Sequence, residues 1–133
     1  MRVGYGIAPA ELTALISRQR AMYCVSNLAQ AAALAALEDS AHIRKAVENN
    51  TAQAERLVPA ISELGYSTTA TWANFVYCDL GEDAGHFATR LHSEGIAVRT
   101  LTQWGAPHAI RITIGTPEQN TELLRVLRKL KHT

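Results

Sequence analysis

The chain has 133 residues, of which 47% are hydrophobic and 19% are charged, and its formal net charge is +1. A chain of this length and balance buries a substantial apolar core, which excludes an intrinsically disordered protein. The near-neutral charge gives no broad basic field, and no apolar run approaches the ~20 residues that span a bilayer. We therefore expect neither a nucleic-acid partner nor a membrane partner.

The first third of the chain predicts one strand and two helices. The segment "RVGYGIA", from Arg2 to Ala8, reads as a strand with two glycines, and "PAELTALISRQR" follows as a helix with an early proline. From Ser26, "SNLAQAAALAALED" is apolar around most of its circumference, as in a helix that neighbours cover on several sides. This second helix therefore predicts a partner domain or subunit.

The rest of the chain predicts a small sheet covered by helices. A long amphipathic helix runs from Ser40 to Gly65, and strands follow in "NFVYCDL", "IAVRTL" and "IRITIGT". The helix "DAGHFATRLHSEG" lies between the first two strands, and "TPEQNTELLRVLRKL" closes the chain with Thr116 as its N-cap. We expect a two-layer α+β fold with a small, mainly antiparallel sheet packed on helices.

Cysteine and histidine give no sign of a metal site or disulfide framework. Cys24 and Cys78 are the only two cysteines, and we predict that both are buried thiols in a reducing compartment. The N-terminal sequence lacks the features of a signal peptide, so a cytoplasmic protein is expected. His86 and His92 share one predicted helix, but six residues apart they cannot share a face. No metal site is expected.

Two arginines stand in the middle of predicted strands. Arg99 lies in "AVRTL" and Arg111 in "IRITIG", and adjacent antiparallel strands would place both guanidiniums on one side of the sheet. Guanidiniums so close repel each other unless an anion lies nearby, and arginine is suited to gripping carboxylate or phosphate. Two interpretations stay open: an anion site, or a solvated polar face with aromatic or carboxylate partners.

Four segments in order resemble histidinol-phosphate aminotransferase: "RVGYGIA", "SNLAQAAALAAL", "ANFVYCDL" and "GIAVRTLTQWGAPHAIRITIGTPEQN". That family belongs to the class I/II aminotransferases, which depend on pyridoxal phosphate (PLP) and share fold type I. The resemblance implies that residues 39–133 form the C-terminal small domain of that fold. It also implies that residues 1–38 are a remnant of the large PLP-binding domain and the interdomain helix, an extended helical segment.

The resemblance also implies roles for single residues. Arg2 matches the arginine that binds the cofactor phosphate, Arg111 the arginine that binds the acidic end of the substrate, and Arg99 a second arginine near that end. Asn74 in "ANF" matches a structural position. The Schiff-base lysine is expected to precede Met1, so no catalytic residue is assigned in this chain. The lysines present have no matching context; they are Lys45, Lys129 and Lys131.

The resemblance therefore implies a fragment of an enzyme of histidine biosynthesis, which transfers an amino group between histidinol phosphate and 2-oxoglutarate. We expect this chain to be inactive alone, to bind no PLP covalently, and to associate with a missing large domain or a second subunit as a homo-oligomer. The alternative is a stand-alone, non-catalytic module that dimerises or binds a partner. An RNA-binding or regulatory domain is less favoured, because aromatic residues are only 6% of the chain.

Overall fold

The structure is a computed structural model that describes residues 3–21 and 24–131. The chain divides into two compact units, Met1–Arg44 and Lys45–Thr133. Arg2, the predicted contact of a cofactor phosphate, lies outside the described residues, so its assignment stays a prediction. The division into residues 1–38 and 39–133 by origin also stays a prediction.

The first unit contains two helices, α1 (Ala10–Arg18) and α2 (Asn27–Glu38). Both were expected from the sequence, and the Ser26 hydroxyl caps α2 by accepting a hydrogen bond from the Ala29 amide at 3.2 Å. The predicted strand over Arg2–Ala8 is wrong for its described part, because residues 3–8 are irregular. A strand needs a hydrogen-bonded neighbour, and the sheet of this protein contains no such segment among the described residues.

The two cysteines differ in their surroundings. Cys78 is fully buried in the sheet, as predicted, and its burial raises the pKa of the thiol to about 12. Cys24 is exposed, so the prediction of two buried thiols is wrong for this residue. Its thiol lies in the connection between α1 and α2, where it donates to the Ala21 carbonyl oxygen at 2.6 Å.

The second unit is a four-stranded antiparallel sheet with helices on one face. A long helix, α3 (Ser40–Glu63), enters it, capped at its start by the Asp39 carboxylate, which accepts from the His42 amide at 2.9 Å. The strands follow the spatial order β1-β2-β4-β3. The remaining elements, in chain order, are β1 (Ser67–Thr68), β2 (Phe75–Asp79), α4 (Ala84–Ser93), β3 (Arg99–Leu101), a 3-10 turn (Thr102–Trp104), β4 (Ala106–Thr113) and α5 (Pro117–Lys131).

The core lies between one face of the sheet and the three helices. Along each strand, alternate residues point to opposite faces, so Val76 and Cys78 are buried while their neighbours on β2 are only partly covered. Helices α3, α4 and α5 contribute buried side chains to the same cluster, which includes Leu57, Ile61, Phe87, Leu91, Val126 and Leu127. The predicted α+β architecture, with one covered sheet face, is confirmed.

A buried polar network fixes the end of β4 to the start of α5. Asn120, only 2% exposed, accepts from the Gly115 amide at 3.1 Å and donates to the Gly115 carbonyl at 3.1 Å and to Gln53 on α3 at 3.0 Å. Thr116 and Gln119 cap α5 reciprocally, each side chain accepting from the other's amide. The residues that follow β4 are therefore held against α3 by hydrogen bonds.

Candidate functional site

The sheet face away from the helices carries a row of three polar side chains across three strands. In the register, Arg111 on β4 lies directly opposite Tyr77 on β2 and Arg99 on β3. Residues directly opposite in an antiparallel pair share a face. The sequence interpretation that adjacent strands bring the two arginines to one side of the sheet is therefore confirmed, whereas their function is not decided by the register.

Arg111 lies in a strand, β4, that the core holds in place. Its strand neighbours Ile110 and Ile112 point into the core and are buried, while Arg111 itself is exposed. Beyond them, the Ile114 amide donates to the Asn74 carbonyl at 2.9 Å, which holds β4 to the residue before β2. Asn74 thus contributes to the fold through its backbone, in agreement with its structural interpretation.

Each of the two guanidiniums lies over an aromatic ring. The Arg111 Cζ is 5.2 Å from the centroid of Phe75, and the Arg99 Cζ is 5.2 Å from that of Trp104. Such contacts contribute about 0.5–1 kcal/mol each at exposed sites.

Trp104 reaches Arg99 because the connection between β3 and β4 is short. The 3-10 turn Thr102–Trp104 ends at Gly105, whose φ of +81° is left-handed, and the Gly105 amide donates to the Thr102 carbonyl at 3.1 Å. Only glycine adopts this conformation without strain. The predicted loop over "TQWGAPH" is wrong beyond Gly105, because β4 begins at Ala106. A register shift at Leu101 accommodates Pro107, which has no N–H to donate.

Within the part of the chain that the structure describes, the N–H donors of Arg99 and Arg111 have no hydrogen-bond partner. Neither has a protein hydrogen bond or a carboxylate partner in the described ranges, where the two ion pairs join Arg125 to Glu122 and Lys129 to Glu94. By contrast, Arg90 lies over Phe87 at 5.8 Å but also donates to the Leu130 carbonyl at 2.8 Å. Of the arginines held over aromatic rings, Arg99 and Arg111 thus keep their N–H edges available.

Two of the three lysines lie away from this face. Lys129 binds Glu94 through both carboxylate oxygens, at 2.9 and 2.8 Å, and Lys131 lies over Tyr66 at 4.9 Å from the ring centroid. Both are on α5, which packs on the opposite face of the sheet, and they do not contribute to the arginine pair. The third, Lys45, is an exposed residue of α3.

Metal-binding clusters and membrane-spanning helices are absent from the described residues. No group of three or more histidine, cysteine, aspartate or glutamate side chains there could hold a metal ion. None of the helices in that part of the chain is long and apolar enough to cross a membrane.

The sequence interpretation of a polar face allowed for aromatic partners of the two arginines but did not identify them as Phe75 and Trp104. Phe75 and Tyr77 are two residues apart and therefore share one face of β2. This spacing could have indicated that aromatic side chains also line the site. Trp104 was seen only as part of a loop. Its contact with Arg99 depends on the turn geometry, which the sequence pattern does not specify.

Comparison with known proteins assigns the family. The family model "Aminotransferase class I and II" matches residues 1–127, nearly the whole chain. The chain is a class I/II aminotransferase sequence. It is 41% identical over 130 residues to histidinol-phosphate aminotransferase 2 of Ralstonia nicotianae, covering 96% of this chain and 35% of that protein. It is 38% identical to the histidinol-phosphate aminotransferase of Akkermansia muciniphila, covering 98% of this chain and 36% of that protein.

Solved aminotransferase structures share the fold. The histidinol-phosphate aminotransferase of Clostridium acetobutylicum superposes with a TM-score of 0.79 at 22% identity, over 92% of this chain and 38% of that one. The Sinorhizobium meliloti enzyme, solved with pyridoxal-5'-phosphate, gives 0.71 at 25% identity, over 87% of this chain and 34% of that one. The predicted fold of the type I aminotransferases is confirmed, and the chain spans about a third of the length of the relatives it matches.

Proposed function

We propose that this chain is the small-domain portion of a PLP-dependent aminotransferase that acts on histidinol phosphate and 2-oxoglutarate, in histidine biosynthesis. The observation that supports it best is the Arg99–Arg111 pair on the exposed sheet face, in a chain that belongs to the class I/II aminotransferases. Both substrates carry an anionic group, a phosphate or a carboxylate, that such a pair can bind.

In this proposal Arg111 binds and orients the acidic end of the substrate. Its guanidinium presents N–H donors in a planar fork, which matches two oxygens of a carboxylate or phosphate. Because β4 is anchored by the core on one face, the bound group is held in a defined orientation. Arg99 stands opposite and offers a second positive charge to an anion that carries more than one charge. Neither arginine transfers a proton.

The activity of this chain by itself depends on whether it forms a complete cofactor site. PLP, when bound in an aminotransferase, supplies the electron sink for amino transfer. The described residues do not fit it as a complete site, because Lys129 and Lys131 are engaged on the opposite face of the sheet and Lys45 is an exposed helix residue. Arg2 is proposed to contact its phosphate. No catalytic step is assigned to this chain, and we propose that it is inactive without further protein.

A chimera tests this proposal. The matching third of the Ralstonia nicotianae relative is replaced by this chain, and amino transfer from histidinol phosphate to 2-oxoglutarate is measured with the cofactor spectrum. We expect turnover in the chimera and none in the chain alone, because the cofactor lysine then comes from the relative. A chimera that is folded and carries normal cofactor absorbance but has no turnover contradicts the proposal.

The second candidate is a non-catalytic module that dimerises through its helices. It is favoured by the exposed leucines of α2, among them Leu28 at 72% and Leu34 at 66% exposure. In an aminotransferase these side chains are proposed to contact the large domain or the second subunit of a homo-oligomer. A stable dimer of the chain alone, combined with an inactive chimera, favours the module over the enzyme fragment.

A further inference from the structure

We propose that Trp104 is a positioning residue for Arg99, and that this pair makes the site prefer a phosphate dianion to a monocarboxylate. The proposal rests on the proposed anion site at Arg111 and adds the determinant of its ligand preference. Two observations support it. The Arg99 guanidinium lies over the Trp104 ring, 5.2 Å from its centroid, and Arg111 lies directly opposite Arg99 on the neighbouring strand.

The two arginines are held unequally. Arg111 stands on β4, which pairs with strands on both sides, whereas Arg99 is the first residue of the three-residue edge strand β3. An exposed arginine at the start of an edge strand has many side-chain conformations, and fixing it costs entropy. Trp104 restricts Arg99 before any ligand binds, and preorganisation of this kind strengthens binding.

Contact with the ring does not use up the donors. A guanidinium stacks through its flat face, while its N–H groups point outward in its plane. Arg99 makes no hydrogen bond to an acceptor among the described residues, unlike Arg90, which also lies over a ring but donates to the Leu130 carbonyl. The ring therefore orients Arg99 and leaves its donors for a ligand.

The chemistry of the ligand decides which anion gains from the second arginine. A monocarboxylate carries one negative charge, which the guanidinium of Arg111 neutralises, although its oxygens can still accept further hydrogen bonds. A phosphate monoester has a third oxygen and nearly two charges at neutral pH. Once Arg111 is engaged, only the phosphate keeps a net negative charge for Arg99. Trp104 should therefore affect phosphate binding and leave carboxylate binding nearly unchanged.

The test titrates the chain with methyl phosphate and with acetate at constant ionic strength and about pH 8, where the phosphate is a dianion. A Trp72→Phe background leaves Trp104 as the remaining tryptophan. Its emission reports Arg99, and the arginine Nε–H resonances in NMR report binding in every variant. We expect methyl phosphate, but not acetate, to change the Trp104 emission.

We expect Trp104→Leu to weaken methyl phosphate binding roughly two- to fivefold, the value of one exposed cation–π contact, with acetate binding unchanged. Trp104→Tyr should retain most of the affinity. In an Arg99→Gln background, Trp104→Leu should have no further effect, because the tryptophan acts through that arginine. Equal weakening of both anions, or a loss that persists without Arg99, overturns the proposal.

Arg111→Gln separates this inference from the proposed function. Weaker binding of both anions in that variant supports the anion site, and an unchanged Trp104→Leu then overturns only the positioning by Trp104. If Arg111→Gln leaves both affinities unchanged, the anion site is overturned, and the preference assigned to Trp104 is overturned with it. Arg125→Gln, on the exposed face of α5, is the matched control and should leave both affinities as they are.

Discussion

Arg111 lies in a strand that the core holds firmly, and its guanidinium N–H groups have no hydrogen-bond partner among the described residues. Two buried isoleucines anchor its strand, Phe75 lies under its guanidinium, and Arg99 stands opposite. If the position were only a solvated polar face, lysine would serve equally well. The planar fork distinguishes the two interpretations, because lysine keeps the charge but not the fork.

We therefore predict the kinetics of Arg111→Lys in the chimera with the Ralstonia relative. A charge-assisted hydrogen bond contributes about 1.5–3 kcal/mol, so kcat/KM should fall by roughly ten- to a hundredfold. The fall should occur with histidinol phosphate and with 2-oxoglutarate, and cofactor absorbance should stay normal. Arg125→Lys is the control. Unchanged kinetics together with a lower free energy of unfolding would assign Arg111 to the fold.

Cysteine 78 gives a pH-dependent prediction at the same scale. Its burial raises the thiol pKa from 9.0 to about 12, with a smaller contribution from the charge of Asp79. The folded state keeps this proton where the unfolded chain releases it. The free energy of unfolding should therefore be independent of this group below about pH 9 and fall as the pH rises from there to about 12.

Urea unfolding at several alkaline pH values measures this slope, and Cys78→Ala should reduce it, leaving the part that comes from Tyr66, whose pKa is also raised by burial. In thiol labelling of the folded chain near neutral pH, the exposed Cys24 should react and Cys78 should not. Rapid labelling of both cysteines in the folded state would show that the sheet opens easily at β2.

At the scale of elements, periodicity and capping residues predicted the helices well. Thr116 was correctly predicted as the N-cap of α5, and the three main strands follow one another along the chain in the predicted order. The edge strand β1 was not predicted, because a segment of two residues is too short to show a hydrophobic pattern and is defined by its pairing with β2. The opposite error occurred before α1, where residues 3–8 resemble a strand but have no pairing partner in the sheet.

The candidate site could also be predicted only in part, because its geometry depends on pairing between strands. Alternation put Arg99 and Arg111 on strand faces, but their direct opposition depends on the register between β3 and β4. Register follows from long-range pairing and from the bulge at Leu101, neither of which a local pattern contains. The contact with Trp104 also requires the left-handed Gly105, which turns the chain within three residues.

The polar network behind β4 gives a prediction about this element junction. Asn120→Ala leaves the Gly115 amide without its acceptor and removes one of the two donors to the Gln53 side-chain oxygen, which keeps Arg56. A buried polar group left without a partner costs about 1–3 kcal/mol and a lost hydrogen bond about 0.5–1.5 kcal/mol, so we expect a loss of roughly 2–4 kcal/mol in the free energy of unfolding. Asn49→Ala, which removes one half-buried bond to the Gly115 carbonyl, should cost less. Urea unfolding compares the two, and an equal loss would contradict the network.

At the scale of the whole molecule, the two units differ in how they use their apolar residues. The second unit buries most of its leucines in one core cluster, whereas α1 has no buried residue and α2 buries only Ala29 among the residues assigned to it. Apolar side chains exposed in the first unit include Leu12, Leu15, Ile16, Leu28, Leu34 and Leu37. Contiguous apolar patches beyond a few hundred Å² are uncommon on soluble monomers.

We therefore predict that the chain self-associates through the first unit. Sedimentation from micromolar to millimolar concentration should show a dimer or larger species, because association removes the exposed leucines from water. Leu28→Gln and Leu34→Gln should shift the equilibrium towards the monomer. Trp72→Gln is the matched control, since Trp72 is 97% exposed but lies in the second unit, and it should leave association unchanged. A monomer at every concentration contradicts this prediction, and an equal effect of Trp72→Gln would place the interface on the second unit instead.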